Sequence, residues 1–150
     1  MAKALIVYDT NIGTTEKMAK DIETGLKEAG IDVVSKMSVG ATVVDLKDVD
    51  AVVLGCPTYF DDISTTIKLF MIEMKKAGLK GKVGAAFGGY GLGGEGIQIM
   101  TDTMKHLIEM DVLEPGLKFK ATEIMLGKAE KECKEFGNKI AKKIKEKGGR

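Results

Sequence analysis

The sequence has no tryptophan, one histidine and two cysteines. Cys56 and Cys133 lie far apart, with no Cys-x-x-Cys and no metal-like spacing, so neither a disulfide framework nor a zinc site is expected. A reducing, cytoplasmic setting is the economical expectation. The lone histidine, His106, falls just off the apolar stripe of its predicted helix, which marks it as a surface residue and not a ligand. No apolar run is long enough to cross a membrane. The short N-terminal run meets Asp9 at once, as a first strand would and a signal peptide would not. Charge of one sign is also missing. A formal net charge of +1 argues against a nucleic-acid binder and against a strongly acidic docking surface.

What is present alternates. Residues 4–8 form an apolar run of the kind buried on both faces of a parallel sheet, and a helical pattern follows to about residue 29, closed by Gly30. Residues 31–37 predict a second strand, nearer an edge, and residues 51–56 a third, ended by Pro57. Ile63, Ile67, Phe70, Met71 and Met74 mark a helix that stops near Gly78. Residues 83–87 predict a fourth strand running into a glycine-rich loop over 88–96. A helix over 97–109 would bury Ile97, Met100, Met104, Leu107 and Ile108. Residues 112–113 and 117–119 predict a fifth strand broken at Pro115-Gly116, and residues 128–147 a last helix. The lysines of 142–147 complement a helix C-terminus. The expected fold is α/β: one domain over residues 1–150, with a doubly wound five-stranded parallel sheet in the order 2-1-3-4-5 and helices on both faces. That order puts a ligand at the switch between strands 1 and 3, facing the loops after strands 1, 3 and 4.

All three loops have unusual composition. After strand 1, Thr10, Asn11, Ile12, Gly13, Thr14 and Thr15 lead into a helix N-terminus, where free N–H groups, the helix dipole and threonine hydroxyls bind anions. The loop is not Gly-x-x-x-x-Gly-Lys-Ser/Thr, and no Lys or Arg precedes Lys17 within it. Neutral donors suit a cofactor phosphate that stays bound and is never transferred. After strand 3, Pro57, Thr58, Tyr59, Phe60 and Asp61 offer a hydroxyl and two adjacent aromatic faces. The aromatics either face a planar ligand or cover the end of the next helix. After strand 4, Gly88, Gly89, Tyr90, Gly91, Leu92, Gly93 and Glu95 permit close approach of backbone to a flat ligand. Gly91-x-Gly93-x-x-Gly96 imitates a dinucleotide fingerprint, but that site belongs to a first βα turn with more strands to follow. A phosphate, a polyol and a planar ring together describe FMN.

Ile6-Val7-Tyr8-x-Thr10-x-x-Gly13-x-Thr15-x-x-x-Ala19 resembles the flavodoxin phosphate-loop signature, and the resemblance extends over the whole chain. Tyr8-Asp9-Thr10, residues 15–19, 84–88 and 114–117, and Tyr90-Gly91 look closest to the flavodoxin domain of flavo-diiron (A-type) flavoproteins. One histidine excludes the diiron chemistry of that family for this chain. Departures are Ile12, where flavodoxins usually have Thr; Thr14, where many have Asn; Leu92, where flavo-diiron domains tend to have Trp; and a 57–62 loop without glycine. The resemblance implies an electron carrier more than a substrate-converting enzyme, a monomer or weak dimer serving redox partner proteins, with FMN bound throughout. Tyr59, Phe60, Tyr90 and Leu92 are the candidate ring walls, and Asp61, Asp62 and Glu95 would lie near the ring and lower its second potential. Two rivals are an FMN-dependent reductase using NADH or NADPH and a flavodoxin-fold interaction module that has lost FMN. A receiver-like phosphotransfer domain lacks its acidic pair here, since Asp9 stands alone. Cys56, beside the site, reads more readily as a small apolar packing residue than as a reactive thiol.

Overall fold

The computed structural model describes residues 1–58, 62–91 and 93–148. β1 (Lys3–Tyr8) pairs in parallel with β2 (Asp32–Met37) on one side and β3 (Ala51–Gly55) on the other. β4 (Val83–Tyr90) continues beyond β3, and the sheet order is β2-β1-β3-β4-β5. The alternation of β1 explains why helices cover both faces. Ala4, Ile6 and Tyr8 point into one core layer and Leu5 and Val7 into the other, because successive strand side chains face opposite ways.

The first layer is closed by α1 (Thr14–Glu28) and α5 (Glu130–Glu146). Met18, Ile22 and Leu26 of α1 meet Cys133, Phe136, Ile140 and Ile144 of α5. Ile22 and Leu26 are fully buried, each contributing roughly 1.5–3 kcal/mol. The opposite layer is closed by α2 (Thr65–Ala77) and α3 (Glu95–Asp102), through Ile67, Phe70, Met71 and Met74 and through Ile97 and Met100. No helix among the described residues is long and apolar enough to cross a membrane.

Two expectations need correction. β4 does not stop at residue 87. Gly88, Gly89 and Tyr90 remain strand, because β6 (Leu117–Lys120) pairs Lys118, Phe119 and Lys120 against them. The fifth strand is broken at Pro115-Gly116 as expected, its two pieces lying on one edge: β5 (Asp111–Val112) beside Val83 and Gly84, and β6 beside residues 87–90. The expected helix over 97–109 changes winding. After α3 the chain makes a π turn over Thr103–Leu107, in which the Ile108 N–H donates to Thr103 O at 3.1 Å. The wider turn delays each side chain's rotation, so Ile108 enters the core while Leu107, expected inside, is 57% exposed. His106 is exposed, as expected. A short α4 (Ala121–Met125), not foreseen, links β6 to α5.

Candidate cofactor site

The strand order reverses between β1 and β3, and in open parallel sheets of this kind ligands bind at the carboxyl ends of the strands beside that switch. There the chain leaves β1 through a compact turn. The Asp9 N–H donates to Gly55 O (2.9 Å), the Thr10 N–H to Asp9 Oδ1 (2.9 Å) and the Gly13 N–H to Thr10 Oγ1 (3.0 Å). Gly13 is the residue before α1 and sits at φ 89°, in the left-handed region that glycine enters without steric cost. Having no side chain, it supplies no cap. The intrahelical ladder begins only with the Lys17 N–H on Gly13 O (3.1 Å), leaving the N–H groups of Thr14, Thr15 and Glu16 without intrahelical partners.

Thr14 and Thr15 are buried. Among the described residues, Thr15 Oγ1 is the one buried side-chain polar atom without a hydrogen-bond partner. A buried, unsatisfied hydroxyl costs about 1–3 kcal/mol. Placed on an uncapped helix N-terminus, it fits an anion that supplies the missing acceptor. No basic side chain occurs in residues 9–16, so the set consists of neutral donors, suited to a phosphate ester held in place. Asn11 and Ile12 are exposed at the turn, Ile12 by 66%. Sequence reasoning missed the contact behind this turn. The Tyr8 hydroxyl donates to Glu16 Oε2 at 3.2 Å, and burial followed by the Glu16 hydrogen bond pushes the phenol's pKa up. The sequence spacing points elsewhere, since Glu16 stands three residues after Gly13 as in a capping box, whose carboxylate would reach back to the Gly13 N–H.

The two neighbouring helix starts each have side-chain acceptors from their own chain. Ser64 Oγ caps α2 by accepting from the Ile67 N–H at 3.4 Å, and the Ser64 N–H points to Cys56 Sγ at 3.4 Å. Burial pushes the Cys56 thiol up, against a nucleophilic role. At α3, Thr58 Oγ1 accepts from the Gly96 N–H (3.1 Å) and Glu95 Oε2 from the Gly94 N–H (2.9 Å). Thr58 oxygen is thus committed to α3, and its O–H hydrogen is what it has to donate elsewhere.

Gly88 and Gly89, expected in a loop against the ligand, serve the protein's own packing. A Cβ at Gly88 would fall 2.1 Å from Cys56 O, so β3 and β4 touch there only because the side chain is missing. A Cβ at Gly89 would meet Ile124 Cδ1 at 2.8 Å and Thr14 Oγ1 at 3.3 Å, which brings the end of β4 beside the first turn of α1. Tyr90, half-buried, has Lys118 Nζ 5.9 Å from its ring centroid, within cation–π range. Gly91 and Gly93 are exposed and Pro57 is half-buried. Asp62 binds the Ile63 N–H (2.8 Å) and pairs with Lys68 (2.5 Å), and the lysine holds its carboxyl below the usual range. The expected roles of Tyr59, Phe60, Asp61 and Leu92 lie outside the described residues. The structure therefore brings Thr10, Gly13, Thr14, Thr15 and Gly89 together at the carboxyl ends of β1 and β4, with Thr58 and Glu95 committed to the neighbouring helix start.

Known proteins agree with this geometry. The family model described as flavodoxin matches residues 6–150. A flavodoxin of Clostridium saccharobutylicum is 32% identical over 96% of this chain and 98% of its own length. A nitric oxide reductase of Moorella thermoacetica is 35% identical over 95% of this chain, but the chain spans only 36% of that protein. Among solved structures, a flavodoxin from the domain Archaea superposes with a TM-score of 0.86 at 32% identity, covering 95% of this chain and 99% of the other. With its phosphate-fitting turn at the β1–β3 switch and similarity along nearly its whole length, this chain belongs to the flavodoxin family, whose cofactor is FMN.

Proposed function

We propose that the chain is an electron carrier, a single FMN-binding domain over residues 1–150 that serves redox partner proteins. The observation that carries the reading is the uncapped first turn of α1 with the buried, partnerless Thr15 hydroxyl. The backbone N–H groups of Thr14, Thr15 and Glu16 and the hydroxyls of Thr10 and Thr15 hold the phosphate, with Asn11 and Gly13 shaping the turn. The Thr58 hydroxyl hydrogen is turned to the phosphate or the ribityl chain. Tyr59, Phe60, Tyr90 and Leu92 wall the ring, with Pro57, Gly91 and Gly93 completing its rim. FMN, when bound, supplies the electron-transfer chemistry, and the protein tunes it through the charges near the ring.

Those charges are more balanced than the sequence suggested. Asp62 is paired with Lys68, and Glu95 is drawn onto the Gly94 N–H. The two free, buried cysteines fit a reducing compartment, and so a cytoplasmic carrier. An absorption spectrum of the protein, taken after addition of excess FMN and removal of the unbound fraction, tests the reading. Flavin bands at about one per chain are expected. A colourless protein would overturn it, and rapid bleaching by NADH or NADPH alone would replace a carrier with a reductase.

A further inference from the structure

The first turn of α1 stays open for an anion because two groups that ordinarily close such a turn are kept away from it. The residue before the helix is Gly13, which has no side chain to cap with. The other group is Glu16, whose position in the first turn lets a carboxylate fold back toward the Gly13 N–H at the mouth of the helix, beside the free N–H groups. It does not do so. Thr10 Oγ1 already takes the Gly13 N–H at 3.0 Å, and the Glu16 carboxylate accepts the Tyr8 hydroxyl at 3.2 Å. Tyr8 is itself 8% exposed, anchored at the end of the central strand, so its hydroxyl is a fixed point.

We propose that Tyr8 is a positioning residue for cofactor binding, holding the Glu16 carboxylate off the first turn of α1 so that this turn receives the cofactor phosphate. The inference rests on the FMN reading given above. Released from Tyr8, Glu16 competes as an internal anion for the same N–H groups and repels the phosphate dianion.

The test compares FMN with riboflavin, which lacks the phosphate, by fluorescence titration of the full chain. Tyr8→Phe is expected to weaken FMN about five-fold, the scale of one like-charge contact at about 4 Å screened by water, and to leave riboflavin affinity unchanged. In a Glu16→Gln background the same substitution should cost nothing. Glu16→Asp, whose shorter arm keeps the charge but not the reach to Tyr8, should reproduce the loss without touching the core. Loss of FMN and riboflavin affinity together, an equal loss in both backgrounds, or no loss in Tyr8→Phe would each overturn the positioning role. A wild-type chain that binds neither flavin would overturn the FMN reading and this inference with it, whereas a wild type that binds FMN beside an unaffected Tyr8→Phe would sink the inference alone.

Discussion

Two helices start on the same rim of the sheet, α1 after β1 and α2 after β3, and they are finished in opposite ways. α2 is closed by its own chain: Ser64 caps it, Ser64 and Thr66 hydroxyls lie 3.3 Å apart, and the Cys56 sulfur takes the Ser64 N–H. α1 is left open by Gly13, with Thr15 Oγ1 buried beside it and bonded to nothing. A capped start contributes stability and needs no ligand. An open start gives up stability in the free protein and recovers it only when an anion arrives. Two neighbouring turns of similar polar composition thus have different purposes, one structural and one for binding.

The sharpest way to break this contrast is Thr15→Val, which keeps the shape and removes the orphan hydroxyl. FMN affinity should fall at least ten-fold, the loss of one hydrogen bond to a charged group of about 1.5–3 kcal/mol, while the thermal midpoint of the free protein holds or rises. A free-protein midpoint that falls would mean that Thr15 is structural. Gly13→Ala forces a side chain into φ 89° and should cost the free protein roughly 1–2 kcal/mol in urea unfolding, as β-carbon crowding in the left-handed region predicts. An unchanged urea midpoint would show that the turn relaxes at no cost.

Ser64→Ala is the mirror experiment. It should lower stability by about 1 kcal/mol, the usual loss of a serine cap, with FMN affinity unaltered. A large affinity change there would erase the distinction between the two turns. The smallest effect concerns pH. Burial raises the Cys56 pKa above its ordinary 9.0, so the folded protein keeps the thiol neutral where the unfolded chain ionises. The stability this contributes is complete below pH 9.0 and declines as pH rises through the higher folded value. Cys56→Ala should therefore show a shallower alkaline fall of the thermal midpoint than the wild type. Identical slopes would mean that the thiol is not shielded.

Much of the architecture was legible because burial on both faces leaves continuous apolar runs. Residues 4–8 and 51–56 could hardly be anything but central strands, and the stripe of Ile22, Leu26, Cys133, Phe136 and Ile140 matches the observed layer between α1 and α5. The polar turn after β1 was legible too, since hydroxyls and a glycine before a helix announce donors. Leu107 was misjudged because an ideal helical period cannot foresee a π turn. Gly88 and Gly89 read as loop in the sequence because their role depends on Cys56 O, Ile124 and Thr14, contacts distant in sequence.

By itself, then, the sequence determined the alternation of strands and helices and the neutral, hydroxyl-rich character of the turn. These follow from local periodicity and residue chemistry, which the chain carries wherever it folds. Only the tertiary structure decided which donors remain available. Thr58 is committed to Gly96, Ser64 to Ile67 and Glu16 to Tyr8, and among the described residues Thr15 Oγ1 is the one buried side-chain oxygen left without a partner. Whether a polar group is satisfied depends on what lies within about 3 Å of it, and that is a property of packing that no stretch of sequence contains.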